Sequence, residues 1–214
     1  MEAIQQIRCG SVNCYLVKSG KSAILVDTGR EAYKEKILRI CTADHDAPVR
    51  LIVLTHGHVD HVQNAAFLTN RLCVPVAMHE EDFSLLSDNK QQTLLSTGLM
   101  GKLMLFATNK SFQRDKITPF SVDFYLKDGD SLSQYGINAK VITLPGHTLG
   151  SIGLLVSGHS LLVGDAMMNL PNPRPALLFH NHEQLLQSVE KIRELAPETV
   201  YFGHGRPARF KNGI

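Results

Sequence analysis

Residues 51–61 read Leu51-Ile52-Val53-Leu54-Thr55-His56-Gly57-His58-Val59-Asp60-His61. Four consecutive apolar residues with polar neighbours predict a strand buried on both faces. The strand ends where three imidazoles and a carboxylate fall within six residues, so a rigid element delivers them together. Histidines four apart would share one face of a helix. Here they are two apart, which predicts donors presented from a loop, with Gly57 allowing a tight turn between His56 and His58. His56 and His58 can then aim at one ion while Asp60 and His61 aim at a second. Imidazole and carboxylate suit zinc, iron or manganese, and the cluster has no cysteine to offer the thiolate of a structural zinc site.

Three later residues stand in similar settings, each at the end of a predicted strand. His147 follows Leu144-Pro145-Gly146, Asp165 follows Leu161-Leu162-Val163-Gly164, and His204 lies between Gly203 and Gly205 after Val200-Tyr201-Phe202. Donors on glycine-containing loops at strand ends can converge on one edge of a scaffold. With the cluster they make seven nitrogen and oxygen donors, enough for two divalent metal ions with positions left for water and substrate. The other five of the ten histidines (His45, His79, His159, His180, His182) have no such setting.

Around these points the pattern predicts strands at 12–17 and 23–26 joined by a turn at 18–21, a helix over 31–41, and a helix from the cluster to about Leu68. A short strand follows at 75–78. Residues 80–110 read as mostly helical, with a break at Gly98–Gly101. Asp128-Gly129 marks a turn. Strands then follow at 139–144, 152–156, 160–163 and 199–202, with an amphipathic helix over 182–195. Strands in both halves with helices between them imply an α/β unit in which two sheets face each other with helices outside. A single domain over 1–214 is expected, with a helical insertion at about 84–120.

The 214 residues are 43% apolar and 20% charged, enough to bury a core without disulfides or a structural metal. Lys plus Arg is 22 against 20 for Asp plus Glu, a balance that gives no support to nucleic-acid binding. The start Met1-Glu2-Ala3-Ile4-Gln5-Gln6 lacks the basic and apolar pattern of a signal peptide. No run approaches the ~20 apolar residues of a spanning helix. A cytoplasmic protein without a membrane partner is expected, and its four irregularly spaced cysteines are read as reduced thiols.

From Asp27-Thr28-Gly29 through the histidine cluster and Gly146-His147-Thr148-Leu149-Gly150 to Gly203-His204-Gly205, the chain resembles the metallo-β-lactamase superfamily of metal-dependent hydrolases. The resemblance implies a four-layer αββα sandwich with a dinuclear site at one edge. His56, His58 and His147 would bind the first metal, Asp60, His61 and His204 the second, and Asp165 would bridge both. Asp27 would hold a ligand histidine by a hydrogen bond rather than bind metal. Asp165 stands where many zinc β-lactamases carry cysteine, which argues against antibiotic hydrolysis. His58 stands where flavodiiron oxygen reductases carry glutamate. After His61, Val62-Gln63-Asn64 replaces the usual pair of glycines.

The nearest style of match is to small glyoxalase-II-like and lactonase-like hydrolases. The chain ends ten residues after His204, without the helical domain that grips glutathione in full-length glyoxalase II. The expected reaction is hydrolysis of a small-molecule thioester, ester or lactone by a metal-bridged hydroxide, on two divalent ions, zinc first and iron or manganese as alternatives. Asp60 would add general-base help. A phosphodiesterase and a mononuclear iron persulfide dioxygenase are the rival readings. Arg174, on the stiff Pro171-Asn172-Pro173-Arg174-Pro175 stretch, is a candidate for a substrate carboxylate or phosphate. The Leu/Met-rich, basic stretch at 84–120 is read as packing, a lid or a homodimer contact.

Overall fold

A computed structural model describes residues 2–210. The chain opens with three antiparallel strands, β1 (Ala3–Cys9), β2 (Val12–Ser19) and β3 (Ser22–Val26). Helix α1 (Lys34–Cys41) leads to β4 (Val49–Val53), and helices α2 (Val59–Val62) and α3 (Ala65–Leu72) lead to β5 (Val76–Met78). A 3-10 turn at Glu80–Leu86, strand β6 (Leu95–Ser96), helix α4 (Gly98–Arg114) and strand β7 (Phe124–Tyr125) complete the first half. The second half holds β8 (Ala139–Thr143), β9 (Ile152–Val156), β10 (Ser160–Leu162), β11 (Met167–Asn169), β12 (Pro173–Pro175), β13 (Leu178–Phe179), helix α5 (His182–Leu195), β14 (Thr199–Tyr201) and β15 (Ala208–Arg209).

The strands form a six-stranded sheet in the order β1-β2-β3-β4-β5-β7 and a five-stranded sheet in the order β15-β14-β10-β9-β8. In the first sheet β3, β4, β5 and β7 run parallel. Alternation of side chains sorts the core into layers. Ile24, Val26, Leu51 and Val53 point between the sheets, where they meet Val141, Leu154 and Leu162. Leu25 and Ile52 point the other way, onto Ile37 of α1 and Leu68 of α3. The outer face of the second sheet, Ile142, Leu161 and Val200, packs on Val189 and Ile192 of α5. The result is the αββα order. Strand β4 is apolar at consecutive positions because both of its faces are covered.

Strand β1 and the 84–120 stretch depart from the sequence reading. Strand β1 has no counterpart there, since Gln5, Gln6 and Arg8 interrupt its apolar pattern; it is an edge strand that buries only Ile7 and Cys9. In the 84–120 stretch, Gly98 does not break a helix but opens one, at φ +67°, and Gly101 lies inside it against the Leu177 carbonyl. Cys9, Cys14 and Cys41 are buried, Cys73 is exposed, and all four are unbonded. No helix among the described residues is long and apolar enough to cross a membrane.

Candidate metal centre

Parallel strands β3 and β4 finish on the same edge of their sheet, which sets Asp27 beside Thr55. Asp27 takes a left-handed backbone (φ +59°), a conformation few non-glycine residues adopt. Its carboxylate accepts from the Thr55 N–H at 2.8 Å and from the Thr55 hydroxyl at 2.9 Å. The cluster is only partly a loop. His56 lies in a bend and His58 is extended, whereas Val59 starts the single turn of α2, so Asp60 and His61 are delivered by a helix. Gly57 is not at a sharp turn either. A side chain there would meet Leu85 Cβ at 2.7 Å and the Asp82 carbonyl at 2.8 Å, so close packing demands the glycine.

The second sheet delivers His147 after β8, Asp165 after β10 and His204 after β14. The last two loops are tied by a bond from the Gly203 N–H to the Gly164 carbonyl at 2.8 Å. A Cβ at Gly203 would lie 2.0 Å from Asp165 Oδ1, so any side chain would displace that carboxylate.

The structure brings all seven sequence-predicted donors together as three linked groups: His56, His58, His147; His56, His61, Asp165; and Asp60, His61, His204. Within each group the donor atoms lie within 4.8 Å of one another. Asp165 is central, with Oδ2 at 3.1 Å from His204 Nε2 and 3.7 Å from His147 Nε2, and Oδ1 at 3.6 Å from His61 Nε2. His58 Nδ1 and His147 Nε2 face each other at 3.0 Å.

Hydrogen bonds fix the tautomers, because a carbonyl or carboxylate can only accept. His147 Nδ1 donates to the Leu178 carbonyl at 2.8 Å, His204 Nδ1 to the Ser11 carbonyl at 2.7 Å, and His61 Nδ1 to Asp27 Oδ2 at 2.9 Å. The Thr55 hydroxyl already gives its proton to Asp27, so His56 Nδ1 must donate to it, at 3.0 Å. Each of these four rings therefore turns an Nε2 toward the centre, and backing of this kind raises ligand basicity at metal sites. The Nε2 atoms of His56 and His61, together with Asp165 Oδ1, are buried without a hydrogen-bond partner. Unpaired buried polar atoms are costly. The donor set thus fits divalent cations.

The electrostatics divide the imidazoles into two kinds. Burial holds His56, His58 and His147 below the ordinary range, His58 down to about 3, so their rings are neutral. Burial is the largest single effect and opposes charge on His61 and His204, but Asp165 together with Asp27 at His61, and with Asp60 at His204, outweighs it and raises both. Asp165 and Asp60 are held low against burial by those same two histidines, and at Asp60 by Arg30 as well.

Several residues that position this centre carry no signal in the sequence. Asp82 is fully buried, and its carboxylate accepts from Gly57 N–H (2.9 Å), Gly150 N–H (2.7 Å), Thr148 Oγ1 (2.7 Å) and Gln92 Nε2 (3.0 Å). It ties the His56–His58 segment to the His147 turn. Asn89 accepts from the Val59 N–H at 2.7 Å and donates to the Gly57 carbonyl at 2.9 Å. The donor set opens into a cavity of about 320 Å³ walled by Leu94, Met104, Met168, Leu170 and Leu178, with Arg30 on its polar side. Arg30 reaches Asp60 at 3.4 Å, and Ser111 and Asp115 at 2.9 Å. Arg174 lies on β12 opposite Met168 and does not line the cavity, so the arginine at the centre is Arg30.

The fold and this donor set define a class, and comparison with known proteins agrees. Residues 7–204 match the metallo-beta-lactamase superfamily model. The chain belongs to that superfamily. An uncharacterised protein of Mycobacterium leprae is 30% identical over 199 residues, covering 90% of this chain and 86% of its own. The hydroxyacylglutathione hydrolase GloC of Haemophilus influenzae is 28% identical over 199 residues, covering 90% and 85%. Among solved structures, TTHA1623 in a di-iron-bound form superposes with a TM-score of 0.67 at 27% identity, covering 97% of this chain and 94% of that one.

Proposed function

We propose that this chain is a metal-dependent hydrolase of thioesters, esters or lactones that holds two divalent ions. The observation that carries this reading is the pair of donor triads linked through Asp165, with ring nitrogens and a carboxylate oxygen left unpaired in a buried site. His56, His58 and His147 would hold one ion, Asp60, His61 and His204 the other, and Asp165 both. When bound, such a pair supplies Lewis acidity and brings the pKa of water toward neutrality. Zinc, iron and manganese all suit the donors.

The chain's own residues do the rest. His61 and His204, with Arg30 at 3.4 Å, keep the Asp60 carboxylate ionised against burial, so Asp60 can accept a proton from water during attack. The apolar wall of the cavity seats an acyl group and excludes bulk water from the reacting carbon. Similarity to a hydroxyacylglutathione hydrolase supports thioesters as the first substrates to try.

The test begins with metals counted per chain by plasma mass spectrometry on protein purified without added metal. It continues with a panel of thioesters, lactones and phosphodiesters. About two ions per chain and thioester or lactone turnover are expected. Asp165→Ala should lose metal and activity together. Full activity in that variant, or one iron per chain with oxygen uptake on glutathione persulfide, overturns the reading.

A further inference from the structure

A second hollow, of about 430 Å³, adjoins the metal cavity; Ser11 and Leu170 border both. Its walls carry two guanidinium groups, Arg8 and Arg206, with the amides of Asn13 and Asn169 and no carboxylate. The sequence explains why Arg8 faces this way. Ile7 and Cys9 of β1 enter the core, so Arg8 points with Gln6 to the opposite face. On that face Gln6 Nε2 donates to the Gly205 carbonyl at 3.3 Å. Arg8 is in register with Asn13, whose amide donates to the Phe202 and Gly205 carbonyls at 2.9 and 2.7 Å. Arg206 follows His204 by two residues, and its carbonyl accepts from Asn169 Nδ2 at 2.7 Å. The loop that carries a proposed metal ligand is thus the floor of this hollow.

Among the described residues neither guanidinium has a carboxylate partner. Arg30, by contrast, is paired with Asp60 and Asp115. Two free forks in a polar hollow beside the reacting cavity suit the part of a substrate that is not hydrolysed. We propose that Arg8 and Arg206 bind a carboxylate or phosphate on the leaving group, so that the substrates are esters or thioesters of an anionic alcohol or thiol. This rests on the hydrolase reading above. Hydrolysis breaks the acyl carbon–sulfur bond and joins the acyl carbon to a water oxygen. One water proton leaves with the thiol, the new acid ionises, and the anchored anion takes no part.

The test uses metal-loaded protein with S-lactoylglutathione (carboxylates), acetyl-coenzyme A (phosphates) and a neutral N-acetylcysteamine thioester. At least one anionic thioester should exceed the neutral one in kcat/KM by about tenfold or more, and which one identifies the anion. Arg8→Gln with Arg206→Gln should reduce that advantage by about tenfold or more, chiefly through KM, and Arg8→Lys should restore part of it. Equal turnover of anionic and neutral thioesters, or an advantage that survives the double variant, overturns the proposal. If no ester or thioester is cleaved, the hydrolase reading fails by itself. Calorimetry with S-methylglutathione and coenzyme A then decides the anion site: binding lost in the double variant supports it, and no binding to the wild type overturns it.

An independent observation concerns the outer face of α4. Gly101 and Ser111 mark its buried side, so the opposite side ought to be polar. Instead Leu99, Leu103 and Phe106 are 77%, 66% and 62% exposed there, at spacings of four and three, with Leu95 and Met100 alongside. Lys110 continues the seam and sits 4.4 Å from the Phe106 ring centroid. Together the five apolar residues expose on the order of 600 Å², the upper end of what a monomer shows and near the ~800 Å² of a standard interface. We infer that this seam pairs with a second copy of the chain, antiparallel about a two-fold axis. Leu103 would then meet the partner's Phe106. The two Lys110 side chains would fall at opposite ends, their stems on apolar surface and their charges in water. Met104 and Thr108, on the inner side of the same helix, wall the metal cavity, so pairing would also steady that wall.

Sedimentation of the metal-loaded protein across the micromolar range should show a dimer. Leu103→Lys and Phe106→Gln should each yield monomer with unchanged circular dichroism. A wild type that stays monomeric overturns the inference, whether or not it binds phosphatidylglycerol vesicles through this face, and so does a dimer indifferent to both variants.

Discussion

Asp27 and Asp82 make the same kind of contribution from opposite sides of the centre, yet only one is readable in the chain. Asp27 fixes the His61 ring and pins the Thr55 N–H at the root of the cluster. Asp27→Ala should weaken metal binding by roughly 10- to 100-fold, the usual cost of removing the partner behind a ligand histidine. Chelator competition on the variant measures this, and an unchanged affinity would refute it. Asp82 touches no donor, but four hydrogen bonds converge on it in the interior. Asp82→Ala strands two backbone N–H groups, and each buried unpaired donor costs about 1–3 kcal/mol. A stability loss of roughly 3 kcal/mol or more is expected in denaturant unfolding, and a loss below about 1 kcal/mol would show that water replaces the carboxylate. Asp27 was legible through the family resemblance that Asp27-Thr28-Gly29 carries. Asp82 was not, since Glu80-Glu81-Asp82 looks like solvated charge and its role exists only once Gly57, Gly150 and Thr148 have been folded around it.

At the level of elements, legibility followed burial. Strand β4, covered on both faces, and α5, with a polar and an apolar side, could be placed from periodicity alone. Strand β1 and helix α4 could not: β1 buries one face at an edge, and α4 is apolar on its outer side too, so its periodicity is blurred. Helix α4 is held at its C-terminal end by Asp115, which accepts from Arg114, Ser111 and Arg30. The Arg114 hydrogen bond, followed by Ser111 and the charge of Arg30, holds the Asp115 carboxyl down at about 2, against an ordinary 3.8. A carboxyl lowered in the folded state adds stability that is fully present above its unfolded value and is lost as pH falls through the folded one. The stability gap between the wild type and Asp115→Asn should therefore be constant above pH of about 4 and close as pH drops toward 2. Urea midpoints at several pH values measure it. A gap that widens on acidification would place the anchor elsewhere.

Over the whole molecule, the seven donors divide between the sheets: His56, His58, Asp60 and His61 follow β4 of one, and His147, Asp165 and His204 follow strands of the other. Ions held by both sets would clip the open edge of the sandwich, while its three apolar layers contain none of the donors. These two facts predict a specific response to metal removal. The apo protein should keep its far-ultraviolet circular dichroism, because burial of the layers does not depend on the donors. Its melting temperature should nevertheless fall, since a ligand that binds only the folded state adds RT ln(1 + [L]/Kd), about 2.7 kcal/mol at a hundredfold excess over Kd. For a chain of this length each kcal/mol corresponds to about 2–4 °C, so a drop of roughly 5–11 °C per ion under those conditions is expected in calorimetry, reversed by added metal. Collapse of the dichroism on chelation would mean that the ions build the fold rather than clip it. An unmoved melting point would mean that the donors of the two sheets do not share ions at all.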